Sequence, residues 1–173
     1  MSESAPEDEV DVIIQEWRQA RPDLDVSPIG VVGRLSRASR LLERGVKDLF
    51  EEHGLQPWEF DVLATLLRSG PPYLLCAGDL SAAAMVSSAA LTNRVDHLVA
   101  KGLVHREVDP AHRRRVLISL TDQGFAVVNK VVEHHIANEN RLLSGLTAAD
   151  RDHLTVLLRR LLVSLGDTGR ATG

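Results

Sequence analysis

The stretch from Met85 to Thr121, MVSSAALTNRVDHLVAKGLVHREVDPAHRRRVLISLT, constrains this chain more than any other. Leu91, Val95, Leu98 and Val99 recur at helical spacing, Ser87 or Ser88 can cap the start, and Lys101-Gly102 closes the last turn. At about 100° per residue, Ala89, Asn93 and His97 fall opposite that apolar stripe, with Thr92 and Arg94 on its flanks. The helix therefore buries one side and turns outward a face that is small, polar and almost free of acid. Two β-rich segments follow, Leu103 to Val108 and Val116 to Leu120, joined by the turn-forming Asp109-Pro110 and the Arg113-Arg114-Arg115 run. A groove-sized helix followed by a cationic hairpin predicts a winged helix-turn-helix.

The pairing carries the inference, because a charge run alone usually just faces water. A hairpin tip beside a helix in the major groove places guanidinium groups where phosphate oxygens lie. The expected contacts to double-stranded DNA are Ser87, Ser88, Thr92, Asn93, Arg94 and His97 on the helix, and Arg113, Arg114 and Arg115 in the adjacent minor groove or on phosphate.

Composition bounds the rest. A chain of 173 residues, 44% hydrophobic, is enough for one well-cored domain spanning 1–173. With a formal net charge of −4 the molecule as a whole does not attract a polyanion, so any nucleic-acid contact must use a local patch, which the wing supplies. The start, MSESAPEDEVD, lacks the basic and apolar segments of a secretion signal, and no apolar run is long enough to cross a bilayer. The expected location is the cytoplasm, with no membrane partner, and a single cysteine agrees with that compartment.

Further helices flank the DNA-reading region. Val10 to about Gln19, with Val12, Ile13 and Trp17, reads as one. From Ser27 to about His53 a long helix carries Ile29, Val32, Leu35, Leu42, Val46 and Leu49 at steps of three, four or seven, with Ser27-Pro28 opening it and Gly54 ending it. The next runs from about Pro57 to Arg68, and a short one from about Ala77 to Ala84 forms the first half of the helix-turn-helix. Asp122 to Leu143 and Thr147 to Leu165 close the chain, split at Ser144-Gly145. The outer helices carry more apolar positions than one small winged-helix core can cover, which points to a second copy as burial partner. The expected architecture is mainly α with a two-stranded β wing: helical dimerisation regions at about 10–53 and 122–165, and a DNA-binding lobe at about 57–121 whose wing is 103–121. Such a dimer would read a pseudo-palindrome.

Other chemistries find little support. Cys76 lies in an apolar-rich loop, PPYLLCAGDL, with no neighbouring cation or second cysteine to stabilise a thiolate, so it is expected to be a dispensable packing residue. Consecutive His134 and His135 point about 100° apart, and with His153 they lack any metal-ligand spacing. No phosphate loop, nucleophile elbow or catalytic dyad is present, so neither an enzyme nor a cofactor or metal is expected.

The run SSAALTNRVDHL, the GLVHR after it and the DPAHRRRVLISLTDQG wing resemble the recognition helix and wing of the MarR-type transcriptional regulators. That resemblance implies a dimer through the end helices. One position departs from the family pattern, where an acid two residues before the arginine matching Arg114 braces it; this chain has His112. The strings EWRQARPDLDVSPIGVVGRLSRASRLLERGVKDLF and EFDVLATLLRSGPPY resemble the urate-responsive, PecS-like branch. The branch implies a ligand set that falls here on Trp17, Asp61, Arg94 and Arg106. The set suits a planar anion, since an indole offers a flat face and guanidinium forks bind paired oxygens. Asp61 would repel the anion, and that repulsion would displace its helix and strain the DNA-reading lobe. What the resemblance implies is a homodimeric, ligand-responsive repressor, its operator binding weakened by urate or a related purine anion. The alternatives are the same fold answering to a di- or tricarboxylate, and an architectural or protein-docking winged helix without a ligand.

Overall fold

A computed structural model describes residues 7–84 and 86–168. The chain divides into two compact units, 1–48 and 49–173. In the first, helix α1 (Glu9–Ala20) begins at a reciprocal cap: the Asp8 carboxylate accepts from the amides of Val10 and Asp11, and the Asp11 carboxylate accepts from the Asp8 amide. Val10, Ile14 and Val26 form a small core with Ile29 of helix α2 (Ser27–Glu52) packed against it. Arg34 of α2 donates to Asp8 and lies 2.7 Å from Asp11, fixing α2 to the start of α1.

The second unit holds helix α3 (Pro57–Arg68), strand β1 (Leu74–Cys76), helix α4 (Ala77–Ala83), helix α5 (Ser88–Ala100), strands β2 (Val104–Val108) and β3 (Val116–Leu120), and helices α6 (Asp122–Leu142) and α7 (Ala148–Ser164). The helix limits expected from periodicity and caps hold to within a residue or two. Ser87, Thr121 and Thr147 cap α5, α6 and α7, each accepting a backbone N–H two or three residues into its helix. The chain leaves α5 at Gly102, whose φ of +72° is the left-handed turn that a glycine adopts without a Cβ penalty.

The expected two-stranded wing is in fact part of a three-stranded antiparallel sheet ordered β1-β3-β2. Leu74, Leu75 and Cys76 pair with Ser119, Ile118 and Leu117, inside the segment read from sequence as a loop. Three residues are too few to show the alternation that marks a strand.

Leu63 and Leu66 of α3, Leu80 of α4, Leu91, Val95 and Leu98 of α5, Ile118 of β3 and Val128 and Val131 of α6 are buried and make up the core. Val99, assigned to the α5 stripe by spacing, is instead 41% exposed, since it lies a further 100° around the helix from Leu98. Helix α6 comes so close to the end of α5 that a Cβ on Gly124 would collide with the carbonyl of Leu103. By contrast α7 buries no residue, and Leu154, Val156, Leu157, Leu162 and Val163 are all exposed along it.

Candidate nucleic-acid interface and effector site

Helix α5 presents Ser88, Ala89, Thr92 and Asn93 to solvent, with Ser87 exposed at its cap. The Ser87 hydroxyl accepts from the Ala90 amide, and the Thr92 hydroxyl donates to the Ser88 carbonyl at 3.0 Å. Asn93 carries the amide best suited to a bidentate contact with an adenine edge.

Two residues expected on this face are turned toward α3. The Arg94 guanidinium stands 5.6 Å from the centre of the Trp58 ring, and His97 meets the same ring edge-on at 5.4 Å. His97 Nε2 also lies 3.1 Å from Glu59 Oε1. The carboxylate of Glu59, only 1% exposed, takes Lys101 Nζ at 2.8 and 3.0 Å, and the same Nζ donates to the Gly54 carbonyl at 3.0 Å. Sequence reasoning gave Trp58 and Glu59 no role, and Lys101 only that of closing the last turn of α5. The available signal was the Gln56-x-x-Glu59 spacing of a capping box, which places a carboxylate at the start of α3.

In the wing Arg113, Arg114 and Arg115 are exposed. At the base of the turn the Asp109 carboxylate accepts from the amides of Ala111 at 2.8 Å and His112 at 3.2 Å. These amides, the first above all, hold the Asp109 carboxyl below its ordinary value, with help from the charges of His112 and Arg115 and against some desolvation. The Asp109 amide donates to the Arg115 carbonyl, closing the hairpin.

The four residues matched to the ligand set are not all brought together. Trp17 belongs to the first unit and is 46% exposed. In the second unit, Asp61 of α3 borders a cavity of about 450 Å³, lined also by Phe60, Thr65, Arg68, Val132 and His135. Its carboxyl edge reaches solvent, yet packing around it pushes the group above its ordinary value, opposed by the charges of Arg94, Arg68 and His135. Arg94 is thus within electrostatic reach of Asp61. Arg106 on β2 is elsewhere: it pairs with Asp96 of α5 at 2.7 Å and lines a separate cavity of about 130 Å³ with Ser88, Thr92, Val95 and Ile118.

Cys76 meets an acid rather than a cation. Its sulfur lies 3.0 Å from an Asp79 carboxylate oxygen and accepts the Asp79 amide at the start of α4. Among the described residues no group of three or more His, Cys, Asp or Glu side chains is arranged to hold a metal ion, and no helix is long and apolar enough to cross a membrane.

A family model for the MarR family matches residues 53–115, the span from the end of α2 to the wing tip. The transcriptional regulator PecS of Dickeya dadantii is 44% identical over 153 residues, covering 88% of this chain and 92% of that protein. The chain belongs to the MarR family. Solved structures superpose on most of this fold. A mutant MarR from E. coli, solved in complex with operator DNA, matches with a TM-score of 0.69 and 26% identity, covering 80% of this chain and 99% of that one. BpsR of Bordetella bronchiseptica, whose DNA binding is regulated by 6-hydroxynicotinic acid, matches with a TM-score of 0.66 and 27% identity, covering 76% and 91%. As a MarR-family transcriptional regulator, the protein uses a winged helix to bind DNA.

Proposed function

We propose that the protein is a homodimeric cytoplasmic repressor, without enzymatic activity, whose grip on a pseudo-palindromic operator is weakened by urate or a related purine anion. The observation that carries the effector reading is the Asp61 carboxyl: raised by its surroundings, beside a 450 Å³ cavity, and in the field of Arg94 on the DNA-reading helix. An anion entering there meets Arg68 and His135 and disturbs the attraction between Asp61 and Arg94. The proposed effector residues remain Trp17, Asp61, Arg94 and Arg106. Taking Arg106 means competing with Asp96, so the ligand exchanges one charge-assisted bond for another rather than gaining a new one. The similarity to PecS favours a purine anion; the similarity to BpsR supports a heteroaromatic acid as the next class to test.

In operator contact, Asn93 reads a base edge, flanked by Ser87, Ser88 and Thr92, while Arg113, Arg114 and Arg115 hold phosphate or the minor groove. Dimerisation is supported by the uncovered apolar side chains of α7.

The test is a fluorescence titration of a labelled promoter duplex with and without urate, xanthine, citrate, trans-aconitate and 6-hydroxynicotinate. Urate is expected to weaken binding, by no more than its own preference for the DNA-free state, about 1–3 kcal/mol. Trp17→Phe and Arg106→Ala should abolish that effect and spare most DNA affinity. Release by another acid alone reassigns the effector, and indifference to all five leaves a ligand-free docking module.

A further inference from the structure

We propose that Trp58 and Glu59 are positioning residues for operator reading, holding α5 at one rotation about its axis through the side chains of Arg94, His97 and Lys101. The proposal rests on α5 being the helix that enters the groove.

Residues 94, 97 and 101 are three and four apart, so they form one narrow stripe along α5. All three touch the first turn of α3: Arg94 over the Trp58 ring, His97 at its edge and on Glu59, and Lys101 on Glu59. The stripe adjoins the buried line of Leu91, Val95 and Leu98, while Asp96, on another side, is bound to Arg106 of β2. The helix is therefore held from three directions, and its N-terminal half leaves Ser88, Ala89, Thr92 and Asn93 facing solvent.

The Glu59 contact has the marks of a registering device more than of a stabilising one. Burying a carboxylate costs several kcal/mol in general, and an apolar pair of the same volume would hold two helices at least as well. Two hydrogen bonds to one buried carboxylate are more directional than an apolar contact. Glu59 makes it at both oxygens with Lys101, accepts the Gln56 amide at 2.7 Å as well, and has the positive end of α3 behind it. Lys101 in turn sits at the negative end of α5 and reaches the Gly54 carbonyl, so the loop before α3, the start of α3 and the end of α5 converge on one ammonium. A small rotation of α5 would carry Asn93 off its base edge while leaving the arginine contacts to phosphate, which tolerate displacement, largely intact. The positioning pair should therefore govern specific affinity and leave non-specific affinity alone.

The experiment compares the protein on its promoter duplex and on a scrambled duplex of equal length at fixed salt, with melting temperature recorded for every variant. Glu59→Gln and Lys101→Met should each lower specific affinity about tenfold, and the double variant should lose little more, since both break one tie. Lys101→Arg should restore most of the loss. Trp58→Phe should be mild and Trp58→Ala should match Glu59→Gln, while affinity for the scrambled duplex stays within about twofold throughout. Parallel losses on both duplexes, or simple additivity of the two Glu59–Lys101 variants, would show only general destabilisation and overturn the proposal. So would unchanged specific affinity in the variants when the wild type discriminates. A wild type that fails to tell the duplexes apart would instead remove the groove-reading role of α5, and the positioning role with it.

Discussion

Helices α5 and α7 are both amphipathic by sequence, yet their apolar sides meet different fates. In α5, Leu91, Val95 and Leu98 are at most 2% exposed, covered by α3, α4 and the sheet of the same chain. In α7, Leu157 is 60% and Val163 53% exposed, and no residue is buried. The burial of α5 is thus settled within the protomer, whereas the apolar side chains of α7 are left uncovered by it. An apolar stripe in a sequence tells that burial happens, but not whether it happens within the chain.

The sharpest way to break this comparison is to charge the α7 stripe. In the proposed dimer, the pair Leu154→Asp and Leu157→Asp, neighbours on one side of α7, should shift the equilibrium toward monomer by about a hundredfold or more in dissociation constant, each lost burial being worth about 1.5–3 kcal/mol. Sedimentation equilibrium reads this directly, and an unmoved dimer would take α7 out of the interface. Next in size, Leu98→Ala should cost about 2–5 kcal/mol of protomer stability as a core cavity. Because that cavity is internal, the loss should show no dependence on protein concentration beyond the wild type's own, in melting curves recorded over a dilution series. Gly124→Ala should cost about 1–3 kcal/mol, since α6 must back away from the Leu103 carbonyl; a melting temperature equal to the wild type would show that the gap can widen freely.

Smaller still is the response of the wing to acid. The Asp109 carboxyl sits below its ordinary value, so its stabilising bonds are complete above the usual carboxylate range and disappear as pH falls through the lowered one. The Ala111 amide resonance should follow the Asp109 carboxyl and move mainly below the ordinary carboxylate range. Movement beginning near neutrality would assign the turn to another group. The smallest effect is expected at Cys76→Ser, which keeps a cap acceptor at the start of α4 and should leave DNA binding unchanged; selective loss of DNA binding by the peroxide-treated wild type would instead make the thiol a sensor.

Much of this molecule was legible from residue patterns because its elements end on strong local signals. Ser87, Gly102, Thr121 and Thr147 act on their own neighbours, so the helix limits follow from short-range chemistry. Strand β1 escaped notice because its identity comes from a partner more than forty residues away. The same reason explains His97 and Arg94. A helical wheel places their Cβ atoms on the outer half of α5, but the direction of a long side chain is decided by what lies beside it, and Trp58 and Glu59 come from another helix. Asp109 was read as a turn former only; its role as the anchor of the wing tip follows from which amides the folded turn brings to it.

The pairing of β1 with β3 also bears on how the DNA-reading lobe comes apart. Leu74, Leu75 and Cys76 bond to a strand that begins only at Val116, so α4, α5 and the whole of β2 lie inside the loop which that short ladder closes. Opening that ladder alone leaves α5 held by the five pairs of β2 with β3 and by Leu91, Val95 and Leu98 in the core, so the reading head comes away only when those part as well. In native-state hydrogen exchange the amides of the β1–β3 ladder should therefore open at a lower free energy than those of α5.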